Sequence, residues 1–342
     1  MSFSERLQRE WLAGGPLSAL LWPLSALYGC VLSLRTLLYR LRVLRVETLP
    51  VPVIVVGNWI VGGAGKTPTT LALLKLLQAQ GVQGLRVGVI SRGYGRKDDG
   101  VHLLTRNSSA GEAGDEPLLI HLRTGVPVAV GRDRVAAARA LLAAHPGLQL
   151  LISDDGLQHW RLPRALSILV FDERGVGNGR LLPSGPLRER AAAPGPNEIV
   201  LYNASKPSTE LPGFMGQRSF AGAVALDAWW RGEPASMQAF EALRGRPLLA
   251  AAGLAQPQRF FQMLEERGLS IEPLPLPDHH DFSALPWPAG TPEVLLTEKD
   301  AVKLRPEALG STRAWVVALD FQPEPAFEQA FIERVQRLLM ND

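Results

Sequence analysis

The sequence predicts an α/β fold in which a mostly parallel sheet carries helices on both faces, and three observations lead there. From Glu47 onward, short apolar runs alternate with stretches of helical periodicity, the pattern left when each crossover returns over a face of a parallel sheet. The first apolar run, Val53–Val56, leads into the glycine-rich stretch Gly62-Gly63-Ala64-Gly65-Lys66-Thr67 and then a helix. A chain of 342 residues with 46% hydrophobic residues also has the material for a large core and about two domains.

Residues 1–45 differ in kind. From Pro16 to Leu34 no residue is charged, and Arg35, Arg40, Arg42 and Arg45 follow. An uncharged run of about twenty residues matches a bilayer, and arginines on one flank favour the cytoplasmic side and anionic headgroups. The mixed charges Glu5, Arg6, Arg9 and Glu10 and the lack of a small-residue cleavage site argue against a secretory signal. Pro23 and the serines weaken a spanning helix, so a helix lying in the interface is the alternative, with a buried helix as the structural one. A membrane-associated segment is expected here.

The next domain is expected over residues 46–215. Val53–Val56, Leu85–Ile90, Leu150–Ile152, Ile168–Phe171 and Ile199–Tyr202 read as buried strands, and Thr69–Gln80 and Val135–Ala144 as helices. Ligands of such sheets bind at the carboxyl ends of the strands. The polar, glycine-rich loops Arg92–Gly114 and Glu173–Pro196 are longer than connection alone requires. Pro- and Gly-rich sequence around Lys206–Gly216 reads as a linker to a smaller C-terminal α/β domain, residues 216–342, with strands at Leu248–Ala252, Val294–Thr297 and Trp315–Leu319 and helices at Pro257–Arg267 and Pro325–Met340. Cys30 is the single cysteine, which excludes an internal disulfide, and the net charge of +3 does not suggest a nucleic-acid binder.

The chemistry begins at the glycine-rich loop. Glycines let successive N–H groups turn inward on an anion, Lys66 reaches the outer phosphates, the Thr67 hydroxyl holds magnesium, and the following helix start adds positive field. Ile60 stands where the common spacing has a glycine, so the loop is the Gly-Gly-x-Gly-Lys-Thr variant, and Val61 stands where dimeric ATPases of that variant carry lysine. Pro68 sits in the first helical turn, where its missing N–H is tolerated. A nucleoside triphosphate is the expected ligand and a P-loop NTPase-like sheet the expected frame. Asp154 and Asp155 follow the strand Leu150–Ile152; adjacent strand residues point to opposite faces, so one of the two should meet the metal. Asp115 and Glu116 precede a proline that starts a helix, where acids also complement the helix dipole. Asp278-His279-His280-Asp281 lacks the further ligands zinc requires. Thr297-Glu298-Lys299-Asp300-Ala301-Val302-Lys303 reads as a helix cap with solvated charges.

Taken together, GNWIVGGAGKTP, SRGYGR, GDEP, DDGLQH, NGRLLPSGPLRE, PDHHDF and TEKDAVK, in that order from about Trp22 to Leu304, resemble the tetraacyldisaccharide 4′-kinases of lipid A biosynthesis. The resemblance implies transfer of the γ-phosphate of ATP, with Mg2+, to the 4′-hydroxyl of a tetraacylated glucosamine disaccharide 1-phosphate, giving lipid IVA. It places the enzyme among inner-membrane lipid at the cytoplasmic face, and implies no nucleic acid and no obligate protein partner. By the same resemblance Gly62, Gly63, Ala64, Gly65, Lys66, Thr67 and Pro68 hold the nucleotide, Thr67 and Asp155 organise magnesium, and Asp154 and Glu189 support the metal or the nucleotide. Asp115 pairs with a histidine of PDHHDF, His279 before His280, to accept the sugar hydroxyl's proton. With Asp115 and His279 expected in different domains, closure around the substrates would assemble the pair. A membrane-recruited regulatory P-loop NTPase is the alternative from another class.

Overall fold

The computed structural model describes residues 3–80, 84–96, 98–254 and 256–340. Its strands, in chain order, are β1 (Val53–Gly57), β2 (Val87–Ser91), β3 (His102–Leu103), β4 (Val128–Val130), β5 (Leu150–Asp154), β6 (Leu166–Asp172), β7 (Glu198–Asn203), β8 (Phe214–Ala225), β9 (Leu248–Ala252), β10 (Ile271–Pro275), β11 (Glu293–Thr297) and β12 (Arg313–Pro323). The chain forms two compact units. The first comprises residues 1–92, 126–217 and 321–342, and the second residues 93–125 and 218–320.

In the first unit the strands run in the order β8-β7-β6-β1-β5-β2-β4, with only the first residues of β8, up to Gln217, belonging to it, and each neighbouring pair is parallel. The central strands are continuous apolar runs, VIVV in β1 and LLI in β5, because both faces of a parallel sheet are covered. Val56 of β1 lies opposite Asp154 of β5, so a carboxylate ends level with the loop that leaves β1. The helix Arg134–Ala144 is capped by Asp133, whose carboxylate accepts from the N–H groups of Val135 and Ala136.

The C-terminal helix Pro325–Met340 belongs to this first unit and not, as expected, to the second. Its apolar stripe Phe327, Phe331 and Val335 is buried, Phe327 meets Phe214 edge-on at 5.8 Å, and the N–H of Glu324 donates to Met215 O at 2.9 Å. The stripe finds its partner surface here, which a boundary drawn from linker composition does not reveal.

The N-terminal segment is also part of the first unit. Its helices are Phe3–Ala13, Pro16–Leu20 and Trp22–Arg40, so the uncharged run is broken near Leu21, and no helix among the described residues is long and apolar enough to cross a membrane. The polarity of these helices is inverted. Small polar residues face the protein: Ser184 Oγ donates to Ser18 O at 2.6 Å, Ser25 Oγ to Leu181 O at 2.7 Å and Tyr28 to Arg188 O at 2.8 Å. Trp22, Leu24, Leu27, Val31 and Leu34 are exposed, Leu27 by 64% and Leu34 by 57%, while Ser25 is buried.

The second unit carries β10-β9-β11-β12, all parallel, over a core that includes Phe240, Leu243, Phe260, Leu264, Leu295 and Val317. Residues 93–125, expected in the domain of the phosphate loop, lie in this unit instead. The helix Asp115–Thr124 packs on the short helix Glu298–Ala301, and Arg123 fastens it: Nη1 donates to Glu298 Oε2 at 3.1 Å and Leu319 O at 3.0 Å, and Nη2 to Asp320 Oδ1 at 2.6 Å. These partners are far away in sequence, so local pattern does not expose them.

Truncating Phe331 to alanine should lower stability by about 3–5 kcal/mol, since it empties a fully buried ring site in the helix that closes the first unit. Urea unfolding followed by circular dichroism measures this, and a loss under about 1 kcal/mol would contradict the packing assigned to that helix.

Candidate active site

The loop between β1 and the helix Lys66–Gln80 has the backbone of an anion cradle. Gly62 and Gly65 take φ of +96° and +91°, a region that disfavours side chains. A Cβ on Gly65 would stand 2.0 Å from Asn203 Nδ2, which donates to Ala64 O at 3.2 Å. Glycine is therefore required there by both conformation and space. Arg174, braced by Asp172, donates to Gly63 O at 2.9 Å and fixes the exposed side of the loop. Pro68 lies in the first turn of the helix, as its missing donor allows.

Lys66 is buried beneath this loop and donates to Gly62 O at 3.1 Å and Asn58 Oδ1 at 3.2 Å, with Asp155 Oδ1 at 3.6 Å. Thr67 Oγ1 lies 3.3 Å from Asp154 Oδ2, and Thr70 Oγ1 3.0 Å from Asp154 Oδ1. The two aspartates thus divide their partners: Asp154 stands with the hydroxyl at the loop's end, and Asp155, whose φ is +50°, with the cations. The sequence puts Asp155 first and leaves Asp154 open as the aspartate that works with Thr67; the geometry sets Thr67 beside Asp154, because the β1–β5 register brings residue 154 level with the loop while the backbone turns away at 155.

Arg188 joins the cluster, donating to Asn58 Oδ1 at 2.6 Å and Ile60 O at 3.1 Å and reaching Asp155 Oδ1 at 3.4 Å. Burial works to raise the Asp155 carboxyl, but Lys66, Arg188 and Arg134 outweigh it and hold the group below the usual carboxylate range. Glu189 accepts from Gln158 Nε2 at 2.7 Å, and Gln158 also donates to Asn58 O. Burial raises the Glu189 carboxyl against the opposing pull of Gln158, Arg164 and Arg188. Burial likewise pushes Arg134 down to about 10 despite Asp155 nearby.

No cluster of three or more His, Cys, Asp or Glu side chains fit to hold a metal exists among the described residues. The donor set still suits magnesium, which keeps several waters and takes one or two protein oxygens together with substrate phosphates. The buried Asp154 carboxylate beside the Thr67 hydroxyl is such a set.

The second unit holds the remaining candidates. Asp115 opens the helix Asp115–Thr124 after Gly114, whose φ is +84° and whose Cβ would stand 2.9 Å from Gly93 Cα, so the SRGYGR and GDEP segments touch backbone to backbone. Asp115 Oδ2 lies 3.0 Å from His279 Nδ1. His279 is held at φ +60°, an uncommon backbone for a bulky residue, and its ring is 5.9 Å from that of Tyr94. His280 is occupied otherwise: its Nδ1 accepts from the N–H of Phe282 at 3.1 Å and braces the turn. Asp115 and His279 lie in one unit, so closure of domains is not needed to bring them together.

Sequence reasoning missed several participants. Asn58 directly follows β1 and Arg188 directly precedes Glu189, positions that could have drawn attention; Arg174 and Asn203 carry no local signal. In the second unit Lys303 Nζ stands 3.4 Å from Asp115 Oδ2 and 3.5 Å from Asp300 Oδ1, so the TEKDAVK segment is more than a solvated cap, although Thr297 does cap the helix by accepting from Asp300 N.

Residues 17–336 match the family described as tetraacyldisaccharide-1-P 4′-kinase, LpxK. The chain belongs to this family. It is 55% identical over 328 residues to the tetraacyldisaccharide 4′-kinase of Methylibium petroleiphilum, covering 94% of this chain and 90% of that one. Against the enzyme of the same name from Leptothrix cholodnii it is 52% identical over 327 residues, covering 94% and 93%. The crystal structure of "apo" form LpxK from Aquifex aeolicus in complex with ATP superposes with a TM-score of 0.77 at 30% identity, covering 95% of this chain and all of that one. The family match spans both units and every motif of the site.

Within the family's DDGLQH segment, burial and the nearby Arg134 push His159 down to about 4, against weaker support from Asp133, whose carboxylate is 3.7 Å from Nε2. The unfolded chain protonates this histidine near pH 6.5 and the folded one only near 4, so the unfolded state binds more protons between them. Stability should be full above pH 6.5 and fall as pH drops toward 4. Urea unfolding at about pH 7 and about pH 4.5 measures the slope, and His159→Gln should flatten it; an unchanged slope would refute the assignment.

Proposed function

We propose that this chain is an ATP-dependent, magnesium-requiring kinase that phosphorylates the 4′-hydroxyl of a tetraacylated glucosamine disaccharide 1-phosphate, giving lipid IVA. The observation that carries this reading is that one chain combines a buried, carboxylate-paired loop lysine with an Asp115–His279 hydrogen bond of 3.0 Å. A phosphate loop alone suits any nucleotide hydrolase or switch. An oriented imidazole is a group suited to taking the proton of an alcohol.

Phosphoryl transfer depends on positioning and charge neutralisation more than on covalent chemistry. In this reading Lys66, Arg188 and the N–H groups of Gly63, Ala64 and Gly65 bind the β and γ phosphates, and Asn58 and Gln158 keep the cluster in register. Thr67 and Asp154 supply oxygens to magnesium, which when bound neutralises charge on the phosphates. Asp155 balances Lys66 and Arg188, and Glu189 fixes Gln158. Asp115 accepts a hydrogen bond from Nδ1–H of His279, leaving Nε2 to take the proton of the sugar hydroxyl. The sugar oxygen then bonds to the γ phosphorus as the bond to the β-bridging oxygen breaks, and ADP departs.

The inverted helices support action on a lipid at the cytoplasmic face of the inner membrane. A row of exposed apolar side chains beside Arg40, Arg42 and Arg45 suits shallow insertion among anionic lipids, and the substrate's acyl chains would reside in the same layer. Deleting the helices would strip hydrogen bonds from Ser184 and Arg188, so the surface is better tested by point changes. Leu27→Gln with Leu34→Gln should reduce sedimentation with anionic vesicles at least tenfold while ATP binding stays within about twofold. Unchanged sedimentation would locate the membrane contact elsewhere.

The reaction is tested with labelled ATP, magnesium and the tetraacyldisaccharide 1-phosphate. Label should enter the lipid, whereas release as free phosphate would favour the regulatory NTPase. Lys66→Ala should reduce transfer by at least ~10². Asp115→Asn and His279→Ala should each lower turnover by ~10² or more, and the double variant should be little worse than either, because groups acting as a unit are non-additive. Multiplicative losses would assign the two residues to separate roles.

A further inference from the structure

Behind Asp115 and His279 lies a second buried ion pair that transfer as described does not use. Lys303 is only 5% exposed at its side chain, yet Nζ is 3.4 Å from Asp115 Oδ2, 3.5 Å from Asp300 Oδ1, and donates to the carbonyl of His280 at 3.0 Å. Its ammonium also stands 5.7 Å from the centre of the Phe282 ring. Asp300 is fully buried and anchored by the frame: the Gly253 N–H donates to its Oδ2 at 3.1 Å and the Thr297 hydroxyl at 2.6 Å. A Cβ on Gly253 would come within 2.8 Å of Asp300 Oδ1, so glycine there leaves room for the carboxylate. Charges therefore alternate from the sheet outward: Asp300, Lys303, Asp115, His279.

We propose that Lys303, backed by Asp300, is a positioning residue that keeps the Asp115 carboxylate aimed at His279 Nδ1, and so fixes the tautomer that leaves Nε2 free to accept a proton. This inference rests on the kinase reading for its purpose but not for its geometry. An ammonium within 3.4 Å favours the charged carboxylate, and an ionised carboxylate accepts the imidazole N–H more strongly than a neutral one does. The same ammonium, through the His280 carbonyl, braces the backbone next to the uncommon φ of His279. Asp300 plays the complementary part, since an unbalanced lysine would oppose the imidazolium that forms in the reaction and the Asp300 carboxylate offsets that charge. Among the described residues, Asp278 also stands near His279, its Oδ1 4.0 Å from Nε2 and 3.6 Å from Lys299 Nζ, as does the Tyr94 ring.

The charges predict opposite effects for two substitutions. Lys303→Met removes a cation, so the acidic limb of the turnover profile should move to higher pH by about half a unit or more, with turnover down ~10–100-fold and the ATP KM unchanged. Asp300→Asn removes an anion, and the same limb should move to lower pH. Lys303→Arg should return the limb to within about 0.2 units of wild type. Shifts in the same direction, or none, would overturn the proposal. Nitrogen-15 spectra of labelled histidine give a readout independent of turnover and of the Asp300 variant's folding: wild-type His279 should carry its proton on Nδ1, and Lys303→Met should populate the Nε2–H form. A wild type protonated on Nε2, or an unchanged tautomer in folded Lys303→Met, refutes it. If wild type labels no lipid, the kinase reading fails, and the spectra still decide this inference.

Discussion

A lysine ammonium buried beneath a glycine-rich loop must be neutralised, and much of the first unit is arranged around that requirement. Asp155 supplies the opposite charge, Asn58 and the Gly62 carbonyl supply acceptors, and Arg188 shares both Asn58 and Asp155. Each of these groups depends on something further back. Asp155 follows β5, whose register against β1 is set by two continuous apolar runs. Arg188 has its backbone held by Tyr28, a residue of the N-terminal helix whose opposite side is exposed leucine. The hydrogen-bonded path from the apolar helix surface to the phosphate loop is therefore short, running through Tyr28, Arg188 and Asn58 to Lys66.

The two units use charge differently. Around the loop, Lys66, Arg188, Arg174 and Arg134 converge, with carboxylates enough to keep them folded; Asp155 is held below its usual range as the consequence. Such convergence suits a polyanion, whose oxygens bring the missing negative charge. Around Asp115 the signs alternate from Asp300 through Lys303 to the imidazole. Alternation pairs each charge with a neighbour of opposite sign and gives the imidazole one fixed carboxylate partner.

The N-terminal helices show why hydropathy alone misleads. Their uncharged composition matches a bilayer span, yet the small and hydroxylated residues Ser18, Ser25 and Gly29 are those that face the protein. A Cβ on Gly29 would come within 3.2 Å of Leu181, so close approach selects the small residue. The apolar side chains are left outward. What reads as one hydrophobic run is two helices with a polar seam holding them to the loop that carries Ser184 and Arg188.

The parallel α/β character, the phosphate loop with Lys66 and Thr67, and the motif order of one kinase family are all legible in the chain as written, because they lie in contiguous residues and follow from local periodicity and glycine geometry. Asp115 and His279 are legible only through that resemblance, and it takes the fold to bring them to 3.0 Å across a separation of 164 residues. Folding likewise selects Asp154 to stand by Thr67, since the backbone turns between 154 and 155 and register determines which side chain arrives. Lys303, Asp300 and Arg188 read as cap or loop, for a lysine near a helix start carries no local mark of burial. Residues 93–125 and the C-terminal helix join their units through long-range packing: Arg123 meets Asp320, and Phe327 meets Phe214, across separations that no local pattern reveals.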